Sequence, residues 1–230
     1  MATITYPILL INFKTYKQGI GKNGLKLAQL CEKVSKETNV CIAIAVQASD
    51  IRMISSQVDI PVFAQHIDPI TPGSNTGHIL IDTIKEAGAI GTLINHSEKK
   101  IKLVSIEKVI QLAKEKNLFT CVCASTPRIA GAIAALAPDC CAIEPPELIG
   151  SGISVSTAKP EIITETVDII QKINPKVVPL CGAGITNSDD VKKALELGTK
   201  GILVASGIVK AEDPKKILTE MAITLSNYKN

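Results

Sequence analysis

Tryptophan is absent from the 230 residues, and only three tyrosines and three phenylalanines are present. The strand-forming residues are therefore mostly Ile and Val, within an apolar share of 46%. That favours buried parallel strands, which read as short continuous apolar runs rather than alternating ones. No apolar run approaches the ~20 residues needed to cross a bilayer, so no membrane partner is expected. Net charge is only +3 and no dense Lys/Arg block occurs. The Lys99-Lys100 pair reads as a solvated helix face, and no nucleic-acid partner is expected. The seven cysteines are odd in number, form no CxxC pair and have no His at ligand spacing. They read as buried free thiols, with neither disulfides, metal nor another cofactor expected. Neither a basic leader nor a cleavage site precedes the apolar run at residue 7, so a cytoplasmic location is expected. No Pro/Ser/Gly linker divides the chain, so residues 1–230 are expected to form a single domain.

What is present is an alternation. Apolar runs recur at 7–12, 40–46, 61–65, 90–94, 118–124, 139–144, 176–181 and 201–205. Segments with helical punctuation separate them. Ser105-Ile106-Glu107 opens one, and Thr126-Pro127 and Asp213-Pro214 each set a capping oxygen before a proline at the first helical position. Asn187-Ser188-Asp189-Asp190 opens another, which Gly198 terminates. Eight strands and roughly eight helices, one unit per ~25–35 residues, predict an α/β fold: a closed (β/α)8 barrel of eight parallel strands surrounded by helices. An open doubly wound sheet would want a glycine fingerprint after the first strand, and Asn12-Phe13-Lys14-Thr15 supplies none.

Chemistry in a barrel belongs at the carboxyl ends of its strands. The first strand delivers Asn12 and Lys14, two apart and so expected on one face. The fourth delivers Asn95-His96-Ser97-Glu98 at a strand-to-helix junction, where the positive end of the helix dipole favours neutral imidazole. The sixth delivers Glu144, and a carboxylate at the tip of an apolar strand is costly unless it has a task. The segment after it, Pro145 to Gly152, has stiff prolines at one end and glycines at the other, as a lid between two hinges would. The last two strands end in Cys181-Gly182-Ala183-Gly184 and Ala205-Ser206-Gly207. Small residues there let backbone N–H groups close on a phosphate.

Together these motifs resemble the triosephosphate isomerases, most closely their compact archaeal form. The resemblance rests on NFKTY at 12–16, AQHIDPITPGSNTGHI at 64–79, NHSE at 95–98, IEPPELIGSG at 143–152 and the small-residue exits at 181–184 and 205–207. The set spans nearly the whole chain in the family's order. It implies isomerisation of dihydroxyacetone phosphate and D-glyceraldehyde 3-phosphate through an enediolate, without a cofactor. It makes Glu144 the base, His96 the neutral electrophile and Lys14 the cation beside the substrate, with Asn12 and Phe13 nearby and Glu98 in support. Backbone groups at Ile149, Gly150, Gly184, Ala205 and Ser206 would hold the phosphate. It also implies a homodimer or homotetramer assembled through the long 66–77 loop, with Thr76 near the partner's site. Ile143, the lid sequence PPELIGSG and the turn CGAG depart from the commoner bacterial and eukaryotic pattern and agree with the compact subgroup. Other phosphate-binding barrels, such as ribulose-phosphate epimerases, use paired acids, a metal or several lysines, and those sets are missing here. A barrel that binds phosphate without catalysis is the other alternative.

Overall fold

In the computed structural model, residues 3–148 and 154–228 are described. Eight strands follow one another: β1 (Ile8–Asn12), β2 (Cys41–Val46), β3 (Val62–Ala64), β4 (Gly91–Ile94), β5 (Phe119–Ala124), β6 (Cys140–Ile143), β7 (Val178–Cys181) and β8 (Gly201–Val204). All are parallel to their neighbours, and β1 pairs with both β2 and β8, which closes the barrel. Each lies within a residue or two of an apolar run. Around them run α1 (Gly21–Thr38), α2 (Ile51–Ser55), α3 (Ile81–Glu86), α4 (Leu103–Glu115), α5 (Pro127–Ala135), α6 (Val155–Ala158), α7 (Pro160–Ile173), α8 (Ser188–Glu196), α9 (Ser206–Val209) and α10 (Pro214–Ser226).

The strands are buried on both faces, which is why they read as unbroken apolar runs. One set of alternate residues, Leu9, Ile11, Ile42, Ile44, Cys141 and Ile143 among them, packs outward against the helices. The other set, including Ile8, Leu10, Phe63, Cys121, Cys140 and Leu203, fills the barrel interior. Mixed sizes let this interior interlock. Gly91 has no side chain because a Cβ there would lie 2.7 Å from the Phe63 ring. That ring in turn tilts against Phe119 with centroids 5.7 Å apart. No disulfide joins the seven cysteines, all are buried, and Cys31 alone sits in a helix. Burial drives the Cys31, Cys141 and Cys181 thiols well above their ordinary range, so they pack as small apolar groups.

The punctuation works largely as read. Side chains of Thr126, Asn187 and Asp213 accept the N–H of the third residue on, and Gly198 follows α8 with φ +96°. Two details differ. Helix α4 begins at Leu103 rather than Ser105, because the N–H groups of Ser105 and Ile106 already bond to Lys102 O at 2.9 and 3.0 Å. The described residues also hold ten α-helical segments, not eight. The extra short ones, α6 and α9, follow β6 and β8 just after the barrel mouth.

Candidate active site

The mouth begins at Asn12, the last residue of β1, which continues the inward-facing set of Ile8 and Leu10. Its Oδ1 accepts the N–H of Lys14 at 3.0 Å. The strand has ended by then, and Lys14 is left-handed, with φ +48°. Lys14 therefore reaches the cavity of Asn12 through a turn, not through the strand pleat the sequence spacing implied. A left-handed conformation costs a non-glycine residue ~1–2 kcal/mol, so something must hold it. Asn12 holds the amide, and Gln65 Nε2 donates to Lys14 O at 2.9 Å and to Ala45 O at 3.2 Å. The ammonium meets Glu98 Oε1 at 2.8 Å. Glu98 is largely exposed, so this pair orients the lysine more than it stabilises the fold. Phe13, between the two mouth residues, points the other way: it is fully buried in the outer core and its side chain does not line the cavity.

His96 follows a second left-handed residue, Asn95 at φ +59°. Asn95 anchors this turn by donating to Cys123 O at 3.0 Å and accepting from Ile101 N at 3.1 Å. The Glu98 N–H points at His96 Nδ1, 3.2 Å away. A backbone amide can only donate, so this contact suits the tautomer with a lone pair on Nδ1 and the proton on Nε2. The Glu98 carboxylate lies 3.5 Å from the same nitrogen, outside bonding distance and open to water. The helix dipole invoked from sequence is not adjacent to this ring. Helix α4 starts only at Leu103, and the amide that meets the ring belongs to a tight turn.

Glu144 leaves β6 in line with inward-facing Ala142, its N–H bonded to Ala124 O at 2.8 Å. Only 5% of it is exposed. Gly182 makes its place, since a Cβ there would lie 2.6 Å from Glu144 Cγ. One glycine read from sequence as part of a phosphate turn therefore serves the carboxylate. Glu144 Oε2 is buried with no hydrogen-bond partner and sits 3.7 Å from His96 Nε2. An acceptor without a donor, just beyond bonding distance of the imidazole, leaves hydrogen-bonding capacity unused at the edge of the cavity. Behind the carboxylate, burial first and Glu144 second keep the Cys123 thiol protonated.

The opposite wall is backbone. After β7, Ala183 and Gly184 are both left-handed, with φ +70° and +71°. Gly207 lets the start of α9 touch this turn, since a Cβ there would come within 2.6 Å of Ile185 O. One cavity of about 40 Å³ is lined by Asn12, Lys14, His96 and Glu144 on one side and by Gly184, Ala205 and Ser206 on the other. Ile149 and Gly150, also assigned to the phosphate, lie outside the described residues. Thr186 lines the cavity and Gln65 clamps Lys14, and neither was singled out from sequence. Both stand within or just beyond quoted motifs, but nothing in the letters says which backbone atoms they reach. A neighbouring cavity of about 460 Å³ shares Asn12, Lys14 and His96 and extends toward Gln65, His66 and Lys99. Among the described residues, no cluster of three or more His, Cys, Asp or Glu could hold a metal ion.

A closed eight-stranded barrel with ammonium, imidazole and carboxylate gathered at the carboxyl ends of its strands defines a (β/α)8-barrel of enzymatic type. A family model described as triosephosphate isomerase matches residues 7–221. The chain is 54% identical over 215 residues to the triosephosphate isomerase of Methanothermus fervidus, covering 94% of this chain and 97% of that protein. It is 51% identical over 214 residues to that of Methanocaldococcus jannaschii, covering 93% and 98%. For the Methanobrevibacter smithii enzyme the figures are 49% over 219 residues, 95% and 99%. The chain belongs to the triosephosphate isomerase family.

Proposed function

We propose that residues 1–230 act as one catalytic domain that interconverts dihydroxyacetone phosphate and D-glyceraldehyde 3-phosphate. The observation that carries the assignment of roles is the unpartnered, buried Oε2 of Glu144, 3.7 Å from Nε2 of His96 in the cavity that Lys14 lines. In this reading Glu144 removes a proton from the carbon beside the carbonyl. The C–H electrons form the enediolate double bond, and the carbonyl oxygen takes the negative charge. His96 Nε2–H and the Lys14 ammonium stabilise that oxygen, and Asn12 hydrogen-bonds beside them. His96 then shuttles a proton between the two oxygens, and Glu144 returns its proton to the neighbouring carbon. Amides around Gly184, Ala205 and Ser206, with Ile149 and Gly150 of the lid, hold the phosphate. Closure of 145–152 excludes water and keeps the intermediate from losing phosphate. Neutral histidine and lid closure are long associated with the triosephosphate isomerases themselves, so here they rest on family membership. No cofactor takes part in this scheme.

The family reading extends to assembly: at least a homodimer, and a homotetramer by similarity to the archaeal branch, joined through residues 66–77. Support comes from the loop itself, which is closed at its base by Asp68 N–H to Ile79 O at 2.9 Å and Ile79 N–H to Asp68 Oδ2 at 2.7 Å. Most residues from Thr71 to His78 are exposed, and the 460 Å³ cavity offers a place for a partner's loop. The location proposed is the cytoplasm; among the described residues no helix is long and apolar enough to cross a membrane.

A coupled assay on glyceraldehyde 3-phosphate tests the activity. Turnover abolished in Lys14→Ala is expected, whereas no turnover by the unaltered chain would sink the proposal. Sedimentation at micromolar concentration tests assembly, and a fully active monomer would overturn it.

A further inference from the structure

From its position and contacts we infer that Asp190, outside the reacting cavity, is the positioning residue that sets the shape of the phosphate-facing turn after β7. The inference rests on the functional reading above and deepens it. Asp190 lies in the first turn of α8, where an acid is ordinary for the helix dipole, but such an acid is normally solvated. This one is 8% exposed. Its Oδ2 accepts both donors of Thr186, the amide at 2.9 Å and the hydroxyl at 3.1 Å. Its own amide donates to Asn187 Oδ1 at 3.0 Å, and Asn187 Nδ2 reaches Thr186 Oγ1 at 3.3 Å. Its carbonyl accepts from Ser156 Oγ at 3.1 Å. With that hydrogen committed, Ser156 Oγ is the acceptor in its 2.7 Å contact with Ser154 Oγ. Beside it, Val155 N–H donates to Ala183 O at 3.3 Å.

Three segments therefore meet at one residue: the turn 182–186 at its carboxylate, Asn187 at the start of α8 through its amide, and residues 154–156, which follow the lid, at its main-chain carbonyl. The turn needs such a hold. Ala183 and Gly184 are successive left-handed residues, and the alanine bears the steric cost of that conformation. Thr186 lines the cavity, yet both of its donors are spent on Asp190. The donors this turn can offer an anion, beside the amides of Ala205 and Ser206, are then the amides before Thr186, at Gly184 and Ile185, whose direction Asp190 fixes at second hand. Its negative charge so near a phosphate would oppose binding. The role is therefore geometric, and an uncharged isostere should preserve it.

The test uses the full chain and inorganic phosphate as probe. Phosphate affinity is measured by calorimetry and as competitive inhibition, alongside kcat, KM and thermal midpoint. Asp190→Ala is expected to weaken phosphate binding and raise KM by a common factor of about tenfold, with kcat changed less than about threefold, since a ground-state grip is lost. Asp190→Asn keeps the acceptor and should remain within about twofold of the parent on both measures. A merely structural acid would lower the thermal midpoint and leave phosphate affinity of the folded protein unchanged; that result overturns the inference. If Asp190→Ala does not fold, Thr186→Val removes one of the two contacts and must weaken phosphate binding in the same direction, or the inference falls. A parent protein that neither binds phosphate nor turns over triose phosphate would instead defeat the functional reading.

Discussion

The two ends of the barrel interior use one device for opposite purposes. At the amino end, the missing side chain of Gly91 admits the Phe63 ring, which packs in the apolar interior cluster against Phe119. At the carboxyl end, the missing side chain of Gly182 admits the Glu144 carboxylate, and the groups around it are polar, buried and incompletely bonded. One end gains stability from contact. The other gives stability up, through left-handed Lys14 and Asn95 and an orphaned carboxylate oxygen, to hold reactive groups in place. Substitutions at the two ends should accordingly separate folding from turnover.

The largest effect is expected at the mouth. Lys14→Ala removes the cation nearest the proposed enediolate, and kcat/KM should fall by at least about 10³-fold with the thermal midpoint nearly unchanged. Steady-state kinetics beside a melting curve decide this; unchanged kinetics would remove Lys14 from the mechanism. The mirror experiment is Phe63→Ala at the floor. It should cost about 3–5 kcal/mol of stability by denaturant titration, with kcat/KM of the folded protein within about twofold of the parent. A matching collapse of activity would show that the two ends are not separable. Smaller is Glu144→Asp, which withdraws the carboxylate by one methylene toward the Gly182 wall. A rate loss of about 10²-fold is expected, and full retention would mean that Glu144 is not the base.

The smallest effect concerns His66, a buried polar residue near the mouth that takes no part in the proposed chemistry. Burial holds its imidazole below the ordinary value of 6.5, with Asp68 at 3.1 Å partly offsetting this. The unfolded chain therefore binds the proton first as pH falls. Stability from this group is complete above its unfolded value and is lost as pH drops through about 6.5 toward the folded value. Urea midpoints at pH 7.5 and 5.5 should draw closer together in His66→Gln, while kcat at pH 7.5 stays constant. An unaltered pH slope would place the acid sensitivity elsewhere.

Much of this was legible in the letters because strands buried on both faces must be apolar runs, and strand ends are where such runs stop. Asn12, Glu144 and Ala205 could be placed at the mouth by that rule alone. Lys14 is turned inward by its own left-handed geometry and not by the strand alternation its spacing suggests, and His96 follows left-handed Asn95. The Phe13 side chain does not reach the cavity, because it continues the outward-facing set of Leu9 and Ile11 and packs in the outer core. Gln65 acts by gripping backbone atoms of Lys14 and Ala45 far away in sequence, and Thr186 and Asp190 grip each other across a turn whose shape the letters do not state.

By itself the sequence determined the number and order of βα units, the polar groups available at their ends, and the family. Those depend on local periodicity and residue type, which are written residue by residue. Tertiary structure alone decided which oxygen of Glu144 is left without a partner, how near it lies to His96, and how Val155 and Ser156 brace the turn after β7 and the helix that follows it. These follow from distances between segments that meet only when the barrel closes, because a hydrogen bond depends on where two groups end up and not on where they began.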